Sequence, residues 1–318
     1  MNKIKAIILL FSGIWILGGC STMNINEDNE SQINENENER TYNFDEKEIH
    51  EYLVPVQEYI GEGYRFRDSV EENLEVAEQH REVVETAVQE WFLDNHKTEV
   101  KINNIVSVVD GVAVFVESVG KPDFYTHVIV PIHIETGEVR TESIWASEGK
   151  VEIGIKGGLL ELAFEEEFNN LNEYLESLTK QYPIVGLSEK AVKNVMGTGY
   201  TTPYYYLTPS DRALDQMIEL YLQEQNFTQD GELDYFFQDY TYNESHVFFT
   251  INLYMKNKGD KPSEEIFNQI LKDIEGMDDI PRGTYSILLH DNYIHKGRAE
   301  GYKENSLRRA HPNEIIKD

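Results

Sequence analysis

A single cysteine, Cys20, in 318 residues leaves the chain without a disulfide and, past that position, without a thiol nucleophile or thiolate ligand. Other signatures are missing too. There is no His-Glu-x-x-His to hold zinc and supply a base, no Gly-x-Ser-x-Gly elbow, and no Walker lysine loop or Gly-x-Gly-x-x-Gly to cradle phosphates. Cationic residues are scarce, 28 Lys and Arg against 58 Asp and Glu, for a formal charge of −30. That field repels the phosphates of nucleic acids and anionic lipids, so no nucleic-acid partner is expected. Long apolar runs are absent as well. The longest, near the start, is shorter than the about 20 residues that a spanning helix needs.

What stands at the start is informative. Lys3 and Lys5 precede an apolar run from Ala6 to Phe11, continued with interruptions through Leu17, and small residues follow. A positive region, a short apolar region and small residues read as a secretory signal over residues 1–19. Leu17-Gly18-Gly19-Cys20 resembles the lipobox of bacterial lipoprotein precursors. The resemblance implies that the Cys20 sulfur takes a covalent diacylglycerol and that the chain is cut before it; no other cofactor is expected. Each buried CH₂ contributes about 0.8 kcal/mol, so the expected location is the outer, extracellular face of a cytoplasmic membrane, held through the lipid. An ordinary secretory signal with an incidental cysteine is the alternative reading.

Residues 20–49 are almost all Asn, Glu, Asp, Ser and Gln. Low hydrophobicity with like charge cannot offset the entropy of ordering, so this stretch is expected to be a disordered acidic tether with an r.m.s. span near 30 Å. The fold class expected beyond it is α+β: two α+β units, 50–183 and 184–318, with antiparallel strands flanked by helices. In the first unit, Val70 to about Leu93 has helical spacing, and Asp110-Gly111 between β-branched runs signals a hairpin. "FYTHVIVPIHIE" and "VRTESIWA" read as third and fourth strands. A long helix carries Leu160, Phe164, Phe168, Leu171, Leu175, Leu178 and Tyr182 on one stripe and ends before Pro183. The second unit reads as a short helix from Ser188, a tyrosine-rich loop, a helix after Pro209-Ser210, the strand "HVFFTINLYM", a helix from Ser263 and the strand "TYSILLH". Gly61-Glu62-Gly63-Tyr64 and Gly197-Thr198-Gly199-Tyr200 echo each other, four positions that hint at an internal repeat.

Candidate chemistry is thin. Residues 226–237 superficially follow an EF-hand loop, but the twelfth position is Phe237 where a bidentate carboxylate is needed. His127 and His133 share a strand face about 20 Å apart, too far to hold one ion. His290, Asp291 and His295 are closer, yet three polar residues at a strand end are common without a ligand, and no metal site is assigned. Ser177-Leu178-Thr179-Lys180 matches Ser-x-x-Lys without its partner motifs. The turn at 120–125, Gly-Lys-Pro-Asp-Phe-Tyr, is accounted for by turn geometry. "GTGYTTPYYYLTPSD" offers Tyr200, Tyr204, Tyr205 and Tyr206 as a recognition loop, since tyrosine has a flat apolar face and a polar tip. The competing reading turns Tyr204 and Tyr206 into the core and leaves Tyr205 on the surface.

"VQEYIGEGY", "VSVVDGVAVFVESVGKPDFYTHVIVPI", "EEEFNNLNEYLE", "KQYPIVG", "GTGYTTPYYY" and "MDDIPRGTYSI" together resemble the uncharacterised lipoproteins of Gram-positive bacteria grouped as domain of unknown function 1672. The resemblance spans nearly the whole chain after residue 49 and implies a lipid-anchored protein, with no catalytic residues to carry over. Three functions stay open. They are a non-enzymatic module binding a protein or cell-envelope component, a small-molecule-binding lipoprotein, and a carboxylate-based hydrolase.

Overall fold

The structure, a computed structural model, describes residues 51–197, 199–223, 227–228, 231–239 and 241–318. The signal segment, Cys20 and the acidic tether lie outside the described residues, as does most of the start of the EF-hand-like stretch. No helix among the described residues is long and apolar enough to cross a membrane.

Leu53–Pro55 (β1) opens the fold. The helical stripe that follows forms as two helices, Glu71–Gln79 (α1) and Arg81–His96 (α2), because His80 at φ −115°, ψ 25° leaves the helical region. Ala77, Val84, Val88 and Phe92 are nonetheless fully buried, as their spacing requires. Val100–Val108 (β2) and Gly111–Ser118 (β3) make the expected hairpin, with Val108 opposite Gly111. Tyr125–His133 (β4) follows. The expected fourth strand shrinks to Glu138–Val139 (β5), because the Ser143 N–H bonds locally to Arg140 O (3.1 Å) and closes a turn. Only Trp145 returns to bridge Ile129.

The single long helix is also two, Lys150–Ala163 (α3) and Glu165–Gln181 (α4), parted at Phe164, which sits at φ −123°, ψ 41°. Helix α3 is buried on nearly every side from Val151 to Glu161, so its first half shows no polar face and no stripe. Its glycines admit neighbouring chain. A Cβ on Gly158 would stand 2.6 Å from Asp123 O, and one on Gly154 would stand 3.0 Å from the Phe124 ring. The turn at 120–125 docks here, with Phe124 fully buried.

Beyond Pro183 come Ile184–Val185 (β6) and Glu189–Val195 (α5), whose first turn is capped by Ser188 Oγ accepting from the Ala191 N–H (3.1 Å). Tyr205–Pro209 (β7), Asp215–Gln223 (α6), Glu232–Asp239 (α7) and Val247–Met255 (β8) precede Glu264–Gly276 (α8), capped by Ser263. Gly283–His290 (β9), Tyr293–His295 (β10), Glu300–Gly301 (β11), Ser306–Arg309 (β12) and Ile315–Lys317 (β13) complete the chain.

Among the described residues three sheets result: β2-β3-β4-β5; β12-β9-β8-β6, with β7 also on β8 and β13 on β9; and β1-β10-β11. The fold is α+β with antiparallel pairing, except that β8 and β9 run parallel. Parallel neighbours need a crossover, and α8 supplies it. The change of sheet falls near 183/184, yet one hydrophobic core crosses it, joining Val114 and Val128 to Leu207, Phe249 and Ile287. Strand β1 likewise pairs with β10 across that position.

Candidate functional site

Side chains alternate across a strand, so each buried strand presents two populations. On β8, Phe249, Ile251 and Leu253 enter the main core, whereas Thr250, Asn252 and Tyr254 face the other way. On β9, Ile287 and Leu289 are core while Leu288 and His290 are opposite. The first sheet behaves alike: Val114, Val116, Val128 and Val130 are core, and Phe115 and His127 are opposite. Antiparallel bridges from Tyr125 to Gly199 and from Thr201 to Tyr206 tie β4 to β7, which brings the outward faces of both sheets together. Between them lies a cavity of about 410 Å³, closed by the segment after α5 and by the turn from Arg298 to Gly301. That volume falls within the range of roughly 300–1,000 Å³ that holds small ligands.

Two imidazoles face this cavity from different sheets. Burial first, and then the Lys150 cation, drive His127 down to about 4. Its ring meets Phe115 (5.1 Å between centroids) and Phe66 (5.6 Å), and its buried Nδ1 has no hydrogen-bond partner. Gly197 closes over that nitrogen, where a Cβ would stand 2.5 Å away. His290 is driven down to about 4 by burial alone. Its Nδ1 lies 2.6 Å from Ser306 Oγ, which itself donates to Tyr302 O (2.8 Å). Nε2 lies 3.3 Å from the Asn252 side-chain amide, toward the cavity.

A neutral buried histidine makes the fold acid-sensitive. Its ordinary pKa is about 6.5, so as pH falls the unfolded chain takes the proton first; stability is full above that value and drains as pH drops toward 4. Between pH 7 and pH 5 His290 alone is expected to remove about 2 kcal/mol. Urea midpoints at the two pH values check this. The difference should shrink in His290→Gln, and an unchanged difference would count against a neutral buried ring.

The sequence-derived candidates are redistributed. Tyr200 and Tyr205 are core residues, Tyr200 meeting Phe168 edge-on at 5.4 Å. Tyr204 is half-buried against the same core, and Tyr206 lines the cavity. The stretch is thus a paired strand with its turn, and Tyr205, not Tyr204 or Tyr206, is the most buried of the three. Both echoing Gly-x-Gly-Tyr stretches reach the cavity, one through Tyr64 and the other through Gly197. His290, Asp291 and His295 part company. Asp291 accepts from Tyr293 N–H and Asn305 Nδ2 (both 2.9 Å), and His295 stacks on Tyr52. Among the described residues, no group of three or more His, Cys, Asp or Glu could hold a metal ion. Ser177 Oγ donates to Tyr174 O and Lys180 pairs with Glu176, so their motif spacing is used locally. Leu17, Gly18, Gly19 and Cys20 lie outside the described residues.

Lys150, Asn252 and Arg298 line the cavity and escaped sequence reasoning, since none belongs to a motif. The one available signal was the polar side of the β8 alternation, Thr250 and Asn252. Chemically the site offers neutral imidazoles, a lysine, an arginine and an aromatic wall. Glu300, which is exposed, is the one carboxylate among the described lining residues, so no carboxyl pair for hydrolysis is assembled here.

The fold is similar to the crystal structure of a DUF1672 family protein from Staphylococcus aureus subsp. aureus Mu50. The TM-score is 0.62 over 81% of this chain and 96% of that one, at 20% identity, a likeness of fold alone. No curated protein matches the chain. The family described as "Protein of unknown function (DUF1672)" matches residues 46–317 by its sequence profile, and the chain belongs to that family.

Proposed function

We propose that the chain is a membrane-anchored extracytoplasmic binding protein, held by diacylglycerol on Cys20, that takes a small molecule into the cavity between its two larger sheets. The observation that carries the binding half is the cavity itself. Two distant parts of the chain converge on it with polar side chains, among them Lys150, Asn252, His290 and Arg298. The anchoring half rests on the charge and apolar pattern before Leu17-Gly18-Gly19-Cys20. A protein or cell-envelope partner held by the tyrosine-rich stretch is less well supported, because Tyr200 and Tyr205 are buried in the core.

Two experiments test the reading. A ligand at 100 times its dissociation constant adds about 2.7 kcal/mol to stability, so a thermal-shift panel of metabolites on the full chain in detergent should find stabilisers. Thr250→Trp, which fills the cavity from β8, should abolish those shifts, and shifts that survive it place the ligand elsewhere. For the anchor, Cys20→Ser is expected to lose all metabolic labelling by fatty acid and to accumulate uncleaved precursor. Labelling at the wild-type level in that variant ends the lipoprotein reading.

A further inference from the structure

The chain provides carboxylates for most of its partly buried lysines. Among the described residues, Lys156 on α3 pairs with Asp215, Lys193 with Glu117 (3.1 Å) and Lys317 with Asp278 (3.8 Å). Lys150, the first residue of α3, is different. It is half-buried and lines the cavity, yet among the described residues no carboxylate lies within ion-pair distance of its Nζ. Burial alone acts on its charge and pulls its pKa down, and nothing nearby restores it. In a chain of net charge −30 an unpaired ammonium is unexpected, because acids are abundant and a desolvated lone charge destabilises the fold. The arrangement instead leaves three N–H donors toward the cavity beside the His127 ring.

The remaining lining adds charge and aromatic surface. Arg298 adds a second cation. Burial first, and then Glu300, raise Tyr64 and Tyr254, so the one carboxylate of the described lining lies near those two rings. Tyr64 and Phe115 line the cavity and meet edge to face (5.7 Å), Phe66 packs against both, and Phe115 continues onto His127. Resting on the cavity reading above, we propose that the ligand is a small organic anion whose carboxylate or phosphate group is held by Lys150 beside His127, with its apolar body against the aromatic cluster.

The test uses the full chain in detergent and three probes of one shape: benzoate, phenyl phosphate and benzyl alcohol, each followed by calorimetric titration. Hydrogen bonds to a charged group are strong enough that benzyl alcohol should bind at least roughly tenfold more weakly than the better anion. Lys150→Met should weaken both anions by a similar factor, and Lys150→Arg should recover most of the loss. Without any probe, Lys150→Met should melt at the same temperature as the wild type or higher, because it removes a lone desolvated charge. A lower melting temperature would show that Lys150 serves the fold, which overturns the proposal. Equal binding of alcohol and anions, or anion binding untouched by Lys150→Met, also overturns it, while sensitivity of those signals to Thr250→Trp keeps the cavity as a binding site. If no probe binds the wild type, the anion proposal fails, and the cavity reading then stands or falls on the metabolite panel. The ratio of benzoate to phenyl phosphate affinity distinguishes a carboxylate ligand from a phosphate one.

Discussion

Gly158→Ala is expected to lower the stability of the folded chain by about 2 kcal/mol or more, a large effect for one added methyl group. The new Cβ would stand 2.6 Å from Asp123 O, 2.8 Å from Asp123 N and 2.8 Å from Pro122 Cβ. These are mostly backbone atoms, so no side chain can swing aside. Relief requires moving the turn that carries Phe124, which is fully buried beside Gly154, or shifting α3 itself. Intrinsic helix propensity favours alanine over glycine by about 1 kcal/mol, so destabilisation would mean that contact outweighs propensity. Gly276→Ala at the end of α8 is the control, since a Cβ there meets nothing within 4 Å. Urea midpoints should fall for Gly158→Ala and hold or rise slightly for Gly276→Ala. Equal midpoints for the two variants would mean that the 120–125 turn is not seated on α3 as described.

Phe249→Ala should cost more, about 3–5 kcal/mol, the usual range for removing a buried aromatic side chain. The ring stacks on Tyr285 at 4.6 Å with an interplanar angle of 5°, and it also meets Phe168 and Tyr205. Those neighbours come from α4, β7 and β9, so the ring joins both sides of position 183. One continuous core predicts that the damage is felt throughout. Trp91 and Trp145 both precede residue 183, and their fluorescence midpoint should fall together with the far-ultraviolet circular dichroism signal. A tryptophan midpoint that stays put while the circular dichroism signal shifts would divide the chain into two independently folding parts.

Elements with a clear local period were legible in advance. The buried stripe Phe168, Leu171, Leu175 and Leu178, the hairpin at Asp110-Gly111 and the Ser263-capped helix appear where spacing and capping chemistry place them. The breaks at His80 and Phe164 were invisible, because neither residue is a helix breaker and the apolar stripe runs through both. The first half of α3 was missed for the opposite reason: a helix buried on all sides has no polar face to set a period. The competing reading of the tyrosine stretch leaves Tyr205 on the surface, whereas it is in the core, because pairing of β7 with β8 sets which face of the strand turns inward, and a shift of one residue would reverse it.

By itself the sequence determined the α+β class, the family resemblance, most helix faces and the acidic balance of the chain, all properties carried by spacing or composition. The tertiary structure alone decided where chemistry can occur. His127, Lys150 and His290 lie on three different elements, and no local pattern links them. They meet because the two sheets are bridged through Gly199 and Thr201, so that the faces turned away from the core come together. Side-chain alternation is encoded locally, but which two alternating faces enclose a cavity depends on the packing of the whole chain.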